Sequence, residues 1–265
     1  MNINALLLNG CFALYAISVL LYMAHAYLRR PKLHQLALGA VLVAFSCQSL
    51  SLGLRWFAAG YLPVTNLFST LFFFSWTLAA TYVYFELRYR LASSGLFVML
   101  LNLLLLYIAL PRDPSPPPLI PMLDTPLFTL HIVFSFLGYA LFAMAFSLAA
   151  LYLIQHKTSV LTLPSRSLLK QLNEEAIFLG FCFFTLSMLL GSYWAYVAWG
   201  YYFSWNIKAL WSALIWLYFA GMCHAKFIRS WQGTGYAWLS ILGFALVLFT
   251  YLGIGLLMKS SHPLA

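Results

Sequence analysis

Charged side chains are scarce in this chain of 265 residues. Asp, Glu, Lys and Arg together make up 7% of it, whereas hydrophobic residues make up 64%. Soluble domains carry about 25% charged residues, so this composition excludes a soluble globular protein and indicates a membrane protein. Acidic residues are the rarest class, with 5 Asp and Glu against 14 Lys and Arg, and the net charge is +9.

Cysteine is also rare, and its spacing carries no metal or redox motif. The four cysteines lie inside apolar runs, and no two of them form a CxxC pair. This spacing excludes a zinc ribbon or a thioredoxin-like dithiol. Buried free cysteine behaves as a small hydrophobic residue, so we expect only packing roles for Cys11, Cys47, Cys182 and Cys223.

Long apolar runs fill most of the chain. A helix needs about 20 apolar residues to cross the hydrocarbon core of a bilayer. Eight runs come close to or exceed this length, near residues 4–26, 35–58, 65–87, 93–110, 127–154, 175–198, 208–227 and 236–258. The sequence therefore predicts an all-α fold, a polytopic membrane helical bundle of about eight transmembrane helices. Too little chain remains for a soluble domain, so we expect one transmembrane domain over residues 1–265.

Basic residues gather at alternate ends of these runs. Ten Lys and Arg follow the first, third, fifth and seventh runs, and four lie at the opposite ends. Cytoplasmic loops carry an excess of Lys and Arg, so we expect both termini to face outside. The same distribution argues against a nucleic-acid partner, because the basic residues do not lie on one face.

Two loops have distinctive sequences. Repeated prolines in residues 111–121 exclude a regular helix there and predict an irregular outer loop leading into the fifth span. Residues 168–172 predict a short interfacial helix on the inner side, followed by Asn173, Glu174 and Glu175 as a cap for the sixth span.

Tryptophans concentrate between the sixth and seventh apolar runs. Residues 194–216 contain five of the nine tryptophans of the chain. Indole rings favour the membrane–water boundary, because the ring is apolar and its N–H needs a polar partner. An aromatic surface of this kind can also stack a flat apolar ligand. The charge distribution places this segment on the outer side.

Three of the six histidines are candidates for chemistry. The charge distribution puts His131 and His262 outside, on the same side as the tryptophans, and two imidazoles can take both axial positions of haem iron. His224 lies near the inner end of the seventh span, where an ionisable group is either functional or hydrogen-bonded to a neighbouring helix. We expect solvated interface roles for the other three, His25, His34 and His156.

The tryptophan segment resembles the CcsA/ResC family, which handles haem in the system II route of cytochrome c biogenesis. The order and spacing of its tryptophan-rich motif, called the WWD domain, are reproduced here, and the similarity runs from about residue 50 to the C-terminus. The matching motif residues are Gly191, Trp194, Ala195, Ala198, Trp199, Gly200, Tyr202 and Trp205.

The resemblance implies a role for each matching position. His131 and His262 correspond to the family's two outer haem ligands, and His224 corresponds to its membrane histidine. The external haem platform would be residues 194–211, lined by Trp194, Trp199, Trp205 and Asn206. The cofactor would be haem b. The implied partners are a CcsB/ResB-type membrane subunit and an apocytochrome c, within membrane lipid. Because the chain has no CxxCH, it is not itself a c-type cytochrome.

Several positions depart from the family pattern. The family usually has acids where this chain has Ser69, Asn206 and Ala209. Two functions therefore stay open: a haem-delivering subunit of a holocytochrome c synthase, and a divergent paralogue that assembles or regulates another complex. A transporter for another small molecule is a third possibility. The sequence shows no paired intramembrane acids or broken helices that would favour it. Basic partners for the haem propionates would be Arg55, Lys208 and Lys259.

Overall fold

The structure is a computed structural model that describes residues 3–112, 114–155 and 164–253. Within these ranges it is all-helical, and eight helices are long and apolar enough to cross a membrane. They are α1 (Ile3–Leu28), α2 (Pro31–Ala59), α3 (Leu67–Tyr89), α4 (Ala92–Ala109), α5 (Pro126–Gln155), α6 (Arg166–Trp199), α7 (Ile207–Ala225) and α8 (Thr234–Leu248), which a π-helical turn extends through Phe249–Gly253. The predicted all-α membrane fold is confirmed. His156, Lys259 and His262 lie outside the described residues.

Helix boundaries follow the apolar runs closely, except at α6. This helix begins at Arg166 and continues through the segment predicted as a separate interfacial helix, so that prediction is wrong. Asn173 does not cap a helix start. Its Nδ2 donates to the Ala145 carbonyl at 2.6 Å, and its Oδ1 accepts a bond from Ser240 at 3.0 Å. Because both polar atoms have partners on other helices, Asn173 stays inside a continuous α6.

The proline-rich segment is irregular, as predicted. Between α4 and α5, the one helical element in the part of the loop that the structure describes is a short 3₁₀ turn at Pro121–Leu123. Proline lacks the N–H that helix propagation needs. In the order of the chain, this loop lies between the first four helices and the last four.

The chain forms two compact units. Unit 1 comprises residues 1–117 and 154–166, and unit 2 comprises residues 118–153 and 167–265. Unit 1 holds α1 to α4, and unit 2 holds α7, α8 and nearly all of α5 and α6. The expectation that the whole chain works as a single membrane domain stays a prediction.

Polar side chains cross the core of unit 1. Tyr15 donates to Gln48 Oε1 at 2.8 Å, and Gln48 Nε2 lies 3.1 Å from the Ser75 hydroxyl. Ser75 in turn bonds to Asn102 Oδ1. These four side chains come from α1, α2, α3 and α4, and each is 0% exposed. Hydrogen bonds inside an apolar core hold the helices in one register, because an unpaired polar group there is costly.

Aromatic rings and close helix contacts build the core of unit 2. Phe142 on α5 stacks on Phe219 of α7, with ring centroids 3.5 Å apart and planes at 5°. Gly180 of α6 lets the Phe142 ring approach, since a Cβ there would lie 2.7 Å from it. Small residues at such crossings are typical of membrane helices, where packing replaces the hydrophobic effect as the force between helices.

One end of unit 2 gathers four chain segments. Tyr251, in the π-helical turn after α8, contacts Phe136 in the first half of α5 at 5.6 Å between ring centroids. The neighbouring Phe249 contacts Trp211, in the first half of α7, at 4.8 Å. The end of α6 reaches the same place through a bond from Trp194 Nε1 to the Met122 carbonyl before α5, at 3.0 Å. The starts of α5 and α7 therefore meet the ends of α6 and α8.

Candidate functional site

His131 lies in the second turn of α5 and faces α6. Its ring is half-buried, and its Nδ1 lies 2.8 Å from the Ser187 carbonyl oxygen. A carbonyl can only accept a hydrogen bond, so Nδ1 carries the proton in this contact. In the neutral ring the lone pair then belongs to Nε2. Metal-ligating histidines commonly have this arrangement, with one ring nitrogen donating to a carbonyl and the other ligating.

Two serine hydroxyls support the same histidine. The Ser135 and Ser187 hydroxyls each donate to the His131 carbonyl at 2.9 Å, and they lie 2.5 Å from one another. Ser187 Oγ is also 3.1 Å from His131 Nδ1. Ser135 is one helical turn after His131, and Ser187 faces both from α6. The hydroxyls therefore fix backbone and ring together.

Gly191 gives the imidazole its space. It lies one turn after Ser187 on α6, so both residues face α5. A Cβ at this position would lie 2.5 Å from His131 Nδ1 and 2.7 Å from Cε1. No real side chain tolerates such contacts, so the ring occupies the volume that any other residue would fill.

Trp194 anchors the tryptophan segment and is not an open part of its surface. It is only 7% exposed, and its indole contacts Phe128 at 5.2 Å and Trp199 at 4.8 Å between ring centroids. Its N–H is satisfied by the Met122 carbonyl. Trp194 lies two turns after Ser187, so the histidine and the indole occupy the same end of the α5–α6 contact.

The surface after Trp199 is aromatic and open. Gly200 ends α6 with φ +79°, a conformation that glycine adopts without strain. The chain then turns back, and Tyr202 stacks on Tyr196 at 4.4 Å with planes at 5°. Trp205 is 84% exposed and meets Phe203 edge-on at 5.3 Å. This segment therefore exposes flat apolar rings on the surface of unit 2.

Asn206 starts α7. Its Oδ1 accepts a bond from the Ala209 N–H at 2.8 Å, and its Nδ2 donates to the Ser204 hydroxyl at 2.5 Å. Asparagine is a strong N-cap residue, because its side-chain oxygen satisfies an otherwise unpaired helix N–H. An aspartate at this position could accept the bond from Ala209, but it could not donate a bond to Ser204.

His224 lies at the opposite end of unit 2. It is exposed in the last turn of α7, and its Nδ1 lies 2.8 Å from the Ala220 carbonyl of the same helix. The expected alternative, a hydrogen bond to a neighbouring helix, is therefore wrong for this contact. Nearby, the Lys226 ammonium lies 5.8 Å from the Phe178 ring centroid. The structure does not bring His224 together with His131.

Arg55, a candidate partner for propionates, is engaged within unit 1. It is 7% exposed, and its Nη2 donates to the Ser69 hydroxyl at 3.1 Å and to the Pro114 carbonyl at 2.5 Å. Its guanidinium also stacks on Phe68, 4.8 Å from the ring centroid. These contacts commit the guanidinium to partners within unit 1.

The sequence missed several residues that matter locally. Ser135 and Ser187 belong to no recognised motif, although Ser135 lies four residues after His131 and therefore shares its helix face.

The expectation of a solvated His34 is wrong, because its Nε2 lies 2.8 Å from Glu86 Oε1 and its side chain is only 22% exposed. Glu86 itself, an acid within an apolar run, was the signal for this pair.

Comparisons with known proteins agree with the resemblance to the CcsA family. The family model described as "Cytochrome C assembly protein" matches residues 64–262. The chain is 30% identical over 282 residues to the "Cytochrome c biogenesis protein CcsA" of Guillardia theta, covering 96% of this chain and 94% of the relative. It is 28% identical over 322 residues to the CcsA protein of Gloeobacter violaceus, with coverages of 98% and 95%.

A solved structure has the same fold. The "Cytochrome c Heme Lyase CcmF" superposes with a TM-score of 0.74 at 14% identity over 94% of this chain. The match covers 46% of that longer chain, so this chain spans about half its length. The family-model match and the near full-length similarity to named relatives establish the family. This chain is an integral membrane protein that belongs to the CcsA family of cytochrome c assembly proteins.

Proposed function

We propose that this chain is a haem-handling membrane subunit of cytochrome c maturation. It would hold haem b at the end of unit 2 that carries the tryptophans and present it on the external face to an apocytochrome c. The single observation that carries this proposal is the His131 environment. Its Nδ1–H is bound to Ser187, so its Nε2 is the nitrogen that would ligate iron.

The second axial ligand in this proposal is His262. It lies outside the described residues, nine positions after Gly253, the last described residue. The chain reaches Gly253 beside the first half of α5, because Tyr251 contacts Phe136 there. The described part of the chain therefore ends at the same end of unit 2 as His131, which supports the pairing of these two imidazoles.

The aromatic segment fits the faces of a porphyrin. Burying apolar surface contributes about 25 cal/mol per Å², and the exposed rings of Tyr202, Phe203 and Trp205 offer such surface. Bound haem would supply the vinyl groups that become thioethers on the apocytochrome. Propionate partners would be Lys208, in the first turn of α7, and Lys259, whereas Arg55 is committed to Ser69 and Pro114.

His224 would act at an earlier stage. Its exposed position at the opposite end of unit 2 supports a role in receiving haem, together with a CcsB/ResB-type subunit that supplies a second membrane ligand. In this arrangement the chain would be one subunit of a holocytochrome c synthase.

Absorption spectroscopy tests the proposal. The full-length chain purified in mild detergent should show a bis-histidine, b-type spectrum, and His131→Ala or His262→Ala should abolish it. His25→Ala, which removes an imidazole from unit 1, is the control and should leave the spectrum intact. In a strain lacking the native chain, His131→Ala should also leave holocytochrome c at background. A haem-free variant that restores full holocytochrome c would contradict the proposal.

A second function rests on the lost acids. Asn206 and Ser69 occupy acidic positions of the family pattern, and both have structural bonds of their own here. This observation favours a paralogue that assembles or regulates another complex. The same deletion strain separates the two functions, since normal holocytochrome c with a failure in another complex would favour the second.

The cap of α7 gives a prediction on stability. Asn206→Ala should destabilise the chain by about 0.5–2 kcal/mol, because the Ala209 N–H loses its acceptor. Asn206→Asp keeps that acceptor and adds negative charge at the helix N-terminus, which is favourable. Thermal unfolding in detergent should therefore place the Asp variant near the wild type and the Ala variant below it. Equal loss in both variants would show that the Nδ2 bond to Ser204 dominates.

A further inference from the structure

A second cluster of ionisable groups lies in unit 1, among residues that the proposed haem site does not use. His34 Nε2 is 2.8 Å from Glu86 Oε1. The other carboxylate oxygen, Oε2, accepts a bond from the Tyr82 hydroxyl at 3.4 Å, and Tyr82 shares a 2.6 Å bond with the Tyr22 hydroxyl. The result is a continuous chain of four hydrogen-bonding side chains from α1, α2 and α3.

Exposure falls steeply along this chain. The His34 side chain is 22% exposed, Glu86 is 2% exposed, and Tyr82 is fully buried. The ring of His25 lies 5.6 Å from that of His34, and its Nδ1 is 2.9 Å from the Arg30 carbonyl in the turn between α1 and α2. This series of hydrogen bonds therefore begins near the exposed turn between α1 and α2 and ends at the buried tyrosines in the core.

The phenol groups of Tyr82 and Tyr22 pack directly against Gly95 of α4. A Cβ there would lie 2.5 Å from the Tyr82 hydroxyl and 2.6 Å from Tyr22. At this level α4 contributes no titratable side chain, α1 contributes Tyr22 and His25, α2 contributes His34 and α3 contributes Tyr82. The carboxyl of Glu86 thus faces one accessible imidazole and a pair of phenols.

The polar core continues beyond this cluster. Ser75 and Tyr15 lie seven residues before Tyr82 and Tyr22, and Asn102 lies seven residues after Gly95. Seven residues are two helical turns, about 10 Å. The side chains of the Gln48 network are therefore stacked on the same faces of α1, α3 and α4, and Asn102 Nδ2 has no acceptor within the described ranges.

We propose that Glu86, His34, Tyr82 and Tyr22 form a proton-binding site that exchanges with water through His34. An intramembrane acid with a named partner is a functional site by default. His34 takes a proton from hydronium, releasing water. The new N–H bond forms at Nδ1, and the proton already on Nε2 moves to Glu86 Oε1, so that the Nε2–H bond breaks and an O–H bond forms. The pair ends as neutral imidazole and carboxylic acid, with no change of redox state.

The phenols complete the site. While Glu86 is ionised, Tyr82 donates to its Oε2, and Tyr22 bonds to Tyr82 in turn. Each hydroxyl can accept one proton as it donates another, so the two rings extend the site towards the Gln48 network. The site needs no haem, and its test is separate from that of the proposed function.

Infrared difference spectroscopy tests the site directly. The full chain in lipid vesicles is stepped between acidic and alkaline buffer, and the carbonyl stretch of protonated carboxyl groups is followed. We expect a band that Glu86→Gln removes. Glu174→Gln is the matched control, because Glu174 pairs with Lys170 at 3.8 Å on the surface of α6, and it should retain the band. Retention of the full band in Glu86→Gln would overturn the proposal.

Two further variants keep the test decisive if Glu86→Gln fails to fold. Tyr82→Phe removes the donor to Oε2, so the Glu86 band should move to higher frequency, and an unmoved band would contradict the site. His34→Gln keeps a donor to Glu86 but cannot relay a proton. It should slow hydrogen–deuterium exchange of the band at least tenfold, and an unchanged exchange rate would contradict entry through His34.

Discussion

Gly191→Ala should abolish most of the haem binding proposed for this chain and should also lower its thermal stability. The added Cβ would lie 2.5 Å from His131 Nδ1, closer than any real contact of this kind. The ring must turn away, which breaks its 2.8 Å bond to the Ser187 carbonyl. Forcing extra volume into a packed site typically costs 1–3 kcal/mol, and the displaced Nε2 would no longer face the same iron position.

Gly221→Ala is the matched control for this experiment. Gly221 is also a helical glycine of unit 2, but nothing lies within 4 Å of a Cβ at that position. Alanine in an exposed helix is about 1 kcal/mol more favourable than glycine, so this variant should keep its haem and melt at the wild-type temperature or above. Absorbance and thermal unfolding measured on the same preparations provide both readouts. Full haem content in Gly191→Ala would show that His131 is not held as the structure indicates.

His34→Leu should destabilise unit 1 strongly, and His34→Leu with Glu86→Leu should recover most of the loss. Removing the partner of a buried charge costs about 3–5 kcal/mol, because that charge stays buried without compensation. Glu86 is only 2% exposed, so water cannot replace the imidazole. Exchanging both partners for hydrophobic residues is often neutral. The single-variant loss should grow as the pH rises, because a proton neutralises the unpaired carboxyl in acid.

The Lys170–Glu174 pair is the control for that double-mutant cycle. Its atoms are 3.8 Å apart on the partly exposed surface of α6, and exposed pairs contribute about 0–1 kcal/mol. Lys170→Leu should therefore change the unfolding midpoint little at any pH. If His34→Leu behaves like Lys170→Leu, the His34 contact does not stabilise the core.

The membrane fold could be predicted because transfer from water to lipid dominates the energetics of every span. Run length alone gave eight helices, and α3, expected at residues 65–87, spans Leu67–Tyr89. Its start is set by Asn66, whose side chain accepts a bond from the Ser69 N–H at 2.8 Å. The N-cap shifts the boundary by two residues, which hydropathy does not detect.

Contacts between helices could not be predicted in the same way. Asn173 looked like a cap next to two glutamates, yet it bonds to Ala145 and Ser240 on other helices. His34 looked like an interface residue, yet its partner is 52 positions away. A span can rotate about its axis without changing its hydropathy, so the sequence does not show which polar side chains face each other.

The residues of the candidate site could be predicted, but their contacts could not. The motif identified His131 and Trp194, and both lie at the same end of unit 2. The motif did not indicate that Trp194 is buried, or that Ser187 holds the imidazole through its backbone carbonyl. A carbonyl contact depends on helix register and leaves no signature in residue type.

The length of α6 has a mechanical consequence. Its 34 residues make a rod of about 51 Å at 1.5 Å per residue, whereas the hydrocarbon core is only about 30 Å thick. The helix is therefore long enough for its basic first turns, with Arg166 and Lys170, to extend past one side of the bilayer while Trp194 lies towards the other. A tilt of about 5° moves the far end of such a rod by roughly 4 Å. Because α6 is one continuous helix, such a tilt would change the position of Gly191 and Trp194 relative to the basic first turns.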